Sequence, residues 1–153
     1  MHSYVHDPAA SSYGLEAAAA LGIDPARVFK TLLVEADGTL GVGIVPVDGQ
    51  LDLKAMAAAL GAKKATMADP AVAQRVTGYV VGGISPIGQK KALPTVLDAS
   101  ATAYPTILVS GGRRGLDVEL SPGDLLALTR GRLASIARGT SARTGPPAED
   151  TRA

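Results

Sequence analysis

Apolar and polar positions fall into short blocks whose period changes repeatedly along the chain. Residues 11–21 hold an alanine-rich run between Ser11 or Ser12 and Gly22, a pattern that predicts a capped helix. Residues 28–34 are almost continuously apolar and predict a strand; Asp37-Gly38 predicts a hairpin turn and residues 40–47 the returning strand. Asp48-Gly49 marks a second turn. Asp52 caps a predicted helix that runs to Leu60 and closes at Gly61, and Asp69-Pro70 opens another that Gly78 ends. Residues 79–88 begin apolar like a strand and then become Gly82-Gly83-Ile84-Ser85-Pro86-Ile87-Gly88, which predicts a shaped loop. Residues 94–97 and 106–110 read as buried strands, Gly111-Gly112 with Gly115 as a turn, and residues 116–120 as an alternating strand. Ser121 and Asp124 have capping-box spacing ahead of a helix through 125–128. Strands and helices alternate irregularly, with hairpins, so the expected fold is mixed α/β (α+β), one mixed sheet packed with helices, and not a Rossmann fold. The polar, Pro-rich stretch 139–153 predicts a disordered tail behind one domain at 1–138.

Composition narrows the chemistry. The 153 residues suffice for one domain with its own core, and 46% of them are apolar. One Phe, four Tyr and no Trp leave little for base-stacking platforms. With no Cys, thiol nucleophiles, thiolate zinc sites and disulfides are excluded together, and two His are too few for a zinc site of their own. Twelve basic and twelve acidic residues precede Arg138, so a strongly salt-dependent grip on nucleic acid is not expected. RNA contacts are expected to be local, at Lys63-Lys64, Lys90-Lys91 or Arg113-Arg114. No signal-peptide pattern and no stretch of membrane-spanning length is present, which predicts a soluble, cytoplasmic protein with no membrane partner.

Three features carry candidate chemistry. Lys30 lies in the apolar run Val28-Phe29-Lys30-Thr31-Leu32 and shares a face with Val28 and Leu32 by alternation. A lysine among core residues is costly unless its ammonium reaches a partner or a cleft; the alternative is an edge-strand lysine that discourages aggregation. The loop 82–88 can present backbone N–H groups to an anion or a carbonyl oxygen, or serve only as a tight turn. It lacks the Gly-Lys-Ser/Thr of a phosphate-binding P-loop. Ser110-Gly111-Gly112-Arg113-Arg114-Gly115-Leu116-Asp117 is a glycine-rich hairpin with two arginines, able to hold phosphate or ribose, or simply a solvated turn. His6-Asp7 is a possible acid/base pair or plain surface, and no Gly-x-Ser-x-Gly elbow is present.

In this order, Val28-Phe29-Lys30-Thr31-Leu32, Gln50-Leu51-Asp52-Leu53-Lys54, Gly61-Ala62-Lys63-Lys64, residues 77–90 and residues 110–117 make the chain resemble the YbaK/EbsC family of Cys-tRNA(Pro) deacylases. The resemblance runs over about residues 4–138. It implies a strongly curved, barrel-like sheet and hydrolysis, in trans, of the ester joining a mischarged amino acid to the 3′-terminal adenosine of tRNA. It implies Lys30, Gly82 and Gly83 as catalytic residues and Tyr4, Thr31, Ser85, Pro86, Ser110 and Asp117 as substrate-binding residues. It implies no metal or cofactor: the cysteinyl thiol attacks its own ester carbonyl, and the protein orients the substrate and stabilises the oxyanion. Mischarged tRNA is the implied partner, with prolyl-tRNA synthetase a second. Alternatives left open are an editing hydrolase for Ala-tRNA(Pro) or another mischarged tRNA using bound water, and a non-catalytic module that captures tRNA ends or a synthetase. The family pattern carries roughly one more helix and turn before the position of Tyr4, so Tyr4 is expected to be less well fixed here.

Overall fold

A computed structural model describes residues 1–6 and 13–139 of the chain. Ser11, Ser12, Asp7 and the stretch 140–153 therefore lie outside the described residues, and with them the first helix cap, the His6-Asp7 pair and nearly all of the expected tail. The element order is β1 (His2–Ser3), α1 (Tyr13–Leu21), β2 (Phe29–Ala36), β3 (Thr39–Pro46), β4 (Gln50–Leu51), α2 (Leu53–Ala59), β5 (Ala65–Met67), α3 (Pro70–Thr77), β6 (Thr95–Asp98), β7 (Ile107–Arg113), β8 (Leu116–Leu120), α4 (Pro122–Thr129), β9 (Arg132–Ala134) and β10 (Ala137–Arg138). The strands form a mixed five-stranded sheet in the order β5-β2-β3-β6-β9, a three-stranded sheet β1-β8-β7 and a β10-β4 pair. The mixed α/β class stands; closure of a sheet into a barrel does not, since no ladder among the described residues closes on itself.

Local signals act where the sequence places them. Asp37 and Gly38 take φ of 51° and 84°, the left-handed pair that a two-residue hairpin turn requires, and set the β2–β3 register with Lys30 opposite Val45. Asp52, Asp69 and Ser121 cap their helices by accepting from Ala55 N, Ala71 N and Asp124 N. Residues 79–88 form a loop, as the glycine pair followed by Pro86 predicts. One expectation is corrected. Gly111-Gly112 is not the hairpin turn: β7 runs on to Arg113 through a bulge between Ser110 and Arg113, and the chain reverses at Arg114-Gly115.

Three apolar clusters fill the interior. One, built on Phe29, Leu33, Leu97, Ile107 and Leu125, lies between the large sheet and the β7–β8 hairpin. A second, around Met56, Val45 and Ile136, packs α2 on the other face of the large sheet. A third joins α1 to Val28 and Leu108. Among the described residues no helix is long and apolar enough to cross a membrane.

Candidate functional site

The outer edge of β2 is paired at its two ends and open between them. Val28, just before the strand, bridges to Leu108 of β7, while Val34, Glu35 and Ala36 pair with β5. β5 is only three residues long, so residues 30–32 have no ladder on that side, and the gap is a cavity of about 270 Å³. Its wall is mainly apolar, from Phe29, Leu33, Met67, Ala73, Val81 and Ile84. Its polar groups are few: Lys30, Thr31, Tyr4, Ser110 and Asp117. Polar groups converging in an apolar cavity are the usual makings of a ligand site.

Three of these polar groups, Lys30, Thr31 and Asp117, are incompletely partnered among the described residues. Lys30 is half-buried, belongs to none of the ion pairs among the described residues, and has its pKa lowered by burial against a smaller opposing effect of Asp48. Thr31 keeps a fully buried Oγ1 with no hydrogen-bond partner. Asp117 is buried on β8, between its neighbours His2 on β1 and Ser110 on β7. Burial pushes its carboxyl up to about 6, with the nearby His2 charge pulling the other way. Asp98 is the contrast: equally buried, it accepts from Ser100 N and Oγ and from Ile136 N and Ala137 N, and so clamps β10. Asp98 is satisfied by four donors; Asp117 lines the cavity and has no such set of donors among the described residues. Tyr4 is better fixed than expected, because β1 pairs with β8 and Tyr4 N donates to Gly115 O at 2.9 Å. Burial raises its phenol pKa.

The glycine loop divides. Gly82 lines the cavity with φ of 89°, a conformation that favours glycine. Gly83 sits apart, against the β7–β8 turn: a Cβ there would fall 2.8 Å from Arg113 Cα. Ser85 and Pro86 are buried but do not line the cavity; Ser85 Oγ accepts from Ile87 N and its carbonyl from Gln89 Nε2. Arg114 donates from Nε and Nη2 to Val81 O and so ties the hairpin to the loop, and Ser110 Oγ accepts from Gly112 N. Lys63, Lys64, Lys90 and Lys91 are exposed and away from the cavity. His6 pairs with Glu16 at 2.8 Å. Sequence reasoning missed Asp48 and the far wall at Met67 and Ala73. The first was within reach, since the Asp37-Gly38 register puts Lys30 beside the end of β3; the second depends on α3 folding across the gap.

No set of three or more His, Asp or Glu side chains among the described residues is arranged to hold a metal ion. The aminoacyl-tRNA editing domain family matches residues 7–128. The chain is 44% identical over 120 residues to the Enterococcus faecalis protein EbsC, whose name describes a Cys-tRNA(Pro)/Cys-tRNA(Cys) deacylase, covering 78% of this chain and 73% of that one. It is 31% identical over 104 residues to a proline–tRNA ligase of Moorella thermoacetica, 67% of this chain but 18% of the ligase. A solved structure described as a trans-editing enzyme for prolyl tRNA synthetase superposes with a TM-score of 0.78 at 29% identity, covering 88% of this chain and 85% of the other. The chain belongs to the aminoacyl-tRNA editing domain family.

Proposed function

We propose that this protein clears Cys-tRNA(Pro) in trans, and that the cysteinyl thiol is the nucleophile. The observation that supports it best is the meeting of Lys30, Gly82 and Asp117 in one apolar cavity of about 270 Å³, sized for a small acyl group. The thiol sulfur bonds to the ester carbonyl carbon, the bond from that carbon to the ribose oxygen breaks, and the thiol proton ends on the ribose oxygen. The resulting thiolactone then hydrolyses in water. The wall supplies confinement and orientation. The Lys30 ammonium and the backbone N–H groups at Gly82 meet the negative charge that develops on oxygen. Thr31, Ser110, Tyr4 and Asp117 contact the amino acid and the acyl-bearing side of the sugar, while Gly83, Ser85 and Pro86 hold the loop in shape. Prolyl-tRNA synthetase, the enzyme whose error this reaction removes, is the proposed protein partner.

One observation favours a second reading. A carboxyl near pH 6, as in Asp117, is matched to general-base work at neutral pH and could activate a bound water against Ala-tRNA(Pro) or another ester. Single-turnover deacylation of Cys-, Ser- and S-methyl-cysteinyl-tRNA(Pro) separates the two. Thiol attack predicts fast cleavage of the first only, because sulfur and oxygen analogues differ little in size and a serine hydroxyl needs a base. Equal rates for all three substrates refute the thiol route and favour water. Lys30→Ala, folded but unable to deacylate, is the companion result expected under either chemistry.

A further inference from the structure

Lys30 lines more than one cavity. The acyl cavity of about 270 Å³ lies below the roughly 300–1,000 Å³ typical of sites for larger organic ligands, and it is mainly apolar. A second, more open cavity, of about 590 Å³, also has Lys30 in its wall, together with Asp48, Gly49, Gln50 and Arg138 among others. Lys30 is the one residue that both cavities share.

The second cavity differs in chemistry and is firmly built. Gln50 and Arg138 stand opposite each other in the β4–β10 pair, and the Asp98 clamp on Ala137 N fixes that strand. Arg138 is exposed and belongs to none of the ion pairs among the described residues. Asp48 is half-buried and keeps one carboxylate oxygen out of solvent without a donor. A carboxylate short of donors suits sugar hydroxyls, and an unpaired guanidinium suits a phosphate. A ribose carrying a 5′-phosphate presents both, and its acyl-bearing side would point past Lys30 into the first cavity.

We infer that the cavity between Asp48 and Arg138 is the nucleotide compartment of the site, with the sugar of the terminal nucleotide toward Asp48 and its 5′-phosphate toward Arg138. This rests on the reaction proposed above. The test uses the full chain and two probes with cysteine held by a non-hydrolysable amide: an acceptor-stem RNA hairpin ending in CCA, and the lone 3′-amino-3′-deoxyadenosine nucleoside, which has no phosphate. Arg138→Gln should weaken RNA binding about fivefold and lessen its salt slope by about 0.7, leaving nucleoside binding unchanged. Asp48→Asn should weaken both probes alike. Arg138→Gln is exposed and keeps the test alive if Asp48→Asn misfolds. Unaltered RNA binding by Arg138→Gln overturns the compartment, and wild-type deacylation of tRNA in the same assays shows that the reaction itself survives. Variant-sensitive binding without any deacylation keeps the compartment and refutes the reaction. A wild-type chain that binds neither probe overturns both.

Discussion

Asp117→Asn should make the protein more stable at neutral pH. The Asp117 side chain is 5% exposed, and its carboxyl titrates near 6 in the fold against 3.8 for the free group. Below pH 4 the group is protonated in folded and unfolded chains alike and contributes no difference. Above pH 6 it is ionised in both, and the folded state carries the cost of a buried charge. The native state thus gives up stability as pH rises from about 4 to about 6. That rise in pKa corresponds to at most ~3 kcal/mol, less whatever cavity water returns through hydrogen bonds. Asparagine keeps the shape and drops the charge, so the gain at pH 7 should approach that figure, roughly 10 °C in melting temperature.

The assay is urea unfolding of both proteins from pH 3.5 to 8, with the difference plotted against pH. Titrations of groups that do not interact with Asp117 cancel in the difference. Glu119, held down to about 2 chiefly by the Thr106 hydroxyl and also by His2 and Arg27, titrates in both chains. The expected curve is flat below pH 4, rises through pH 5 and is flat above pH 7. A difference that does not change with pH, or an asparagine variant that is the less stable at pH 7, refutes the account of Asp117 as an uncompensated charge. Deacylation should fall in the same variant, so that stability and activity move in opposite directions.

Thr31→Val exchanges a buried hydroxyl without a partner for a methyl of like size, and should raise unfolding free energy by ~1 kcal/mol in a denaturant titration; a loss of stability would mean that the hydroxyl is satisfied. The two adjacent glycines should separate: Gly83→Ala drives a Cβ to 2.8 Å from the Arg113 backbone and should lower the melting temperature strongly, whereas Gly82→Ala should cost about 1–2 kcal/mol in left-handed strain and remove a larger share of the deacylation rate. Equal ratios of activity lost to stability lost in the two variants would show that Gly82 is structural too.

Local chemistry explains what was legible in the sequence. Asp37-Gly38, Asp52, Asp69-Pro70 and Ser121 act through neighbours a few residues away, and the hairpin and helices follow where they predict. The Gly111-Gly112 pair misled because glycines serve a bulge as readily as a turn. The short strands β1, β4, β5, β9 and β10 carry no pattern of their own; β1, β5 and β9 exist because a longer partner offers an edge, and β4 and β10 because the Asp98 clamp brings them together. Lys30 announced itself as a cation among core residues. The cavity it faces did not, because that gap arises from the shortness of β5 and from the Val28–Leu108 bridge, both long-range events.

Three incompletely partnered groups, Lys30, Thr31 and Asp117, line one cavity, and Asp48 adjoins the same lysine from the second, which is a physical argument for where the chain works. Asp98 shows that this fold can surround a buried carboxylate with four donors. Among the described residues Asp117 has no such set of donors, Thr31 Oγ1 no partner and Lys30 no close counterion, and all three line one cavity. Scattered through the core, three such groups would each cost stability for no return. Gathered in the gap beside β2, Lys30 and Asp117 present a cation and an anion to whatever enters, and a ligand bearing a carbonyl and an ammonium would supply their missing partners at once. An aminoacyl ester of ribose has that set of groups. Under the proposed reaction the stability forgone at these groups is returned when the substrate binds, which is why the stabilising substitutions predicted at Asp117 and Thr31 fall on the residues that line the cavity.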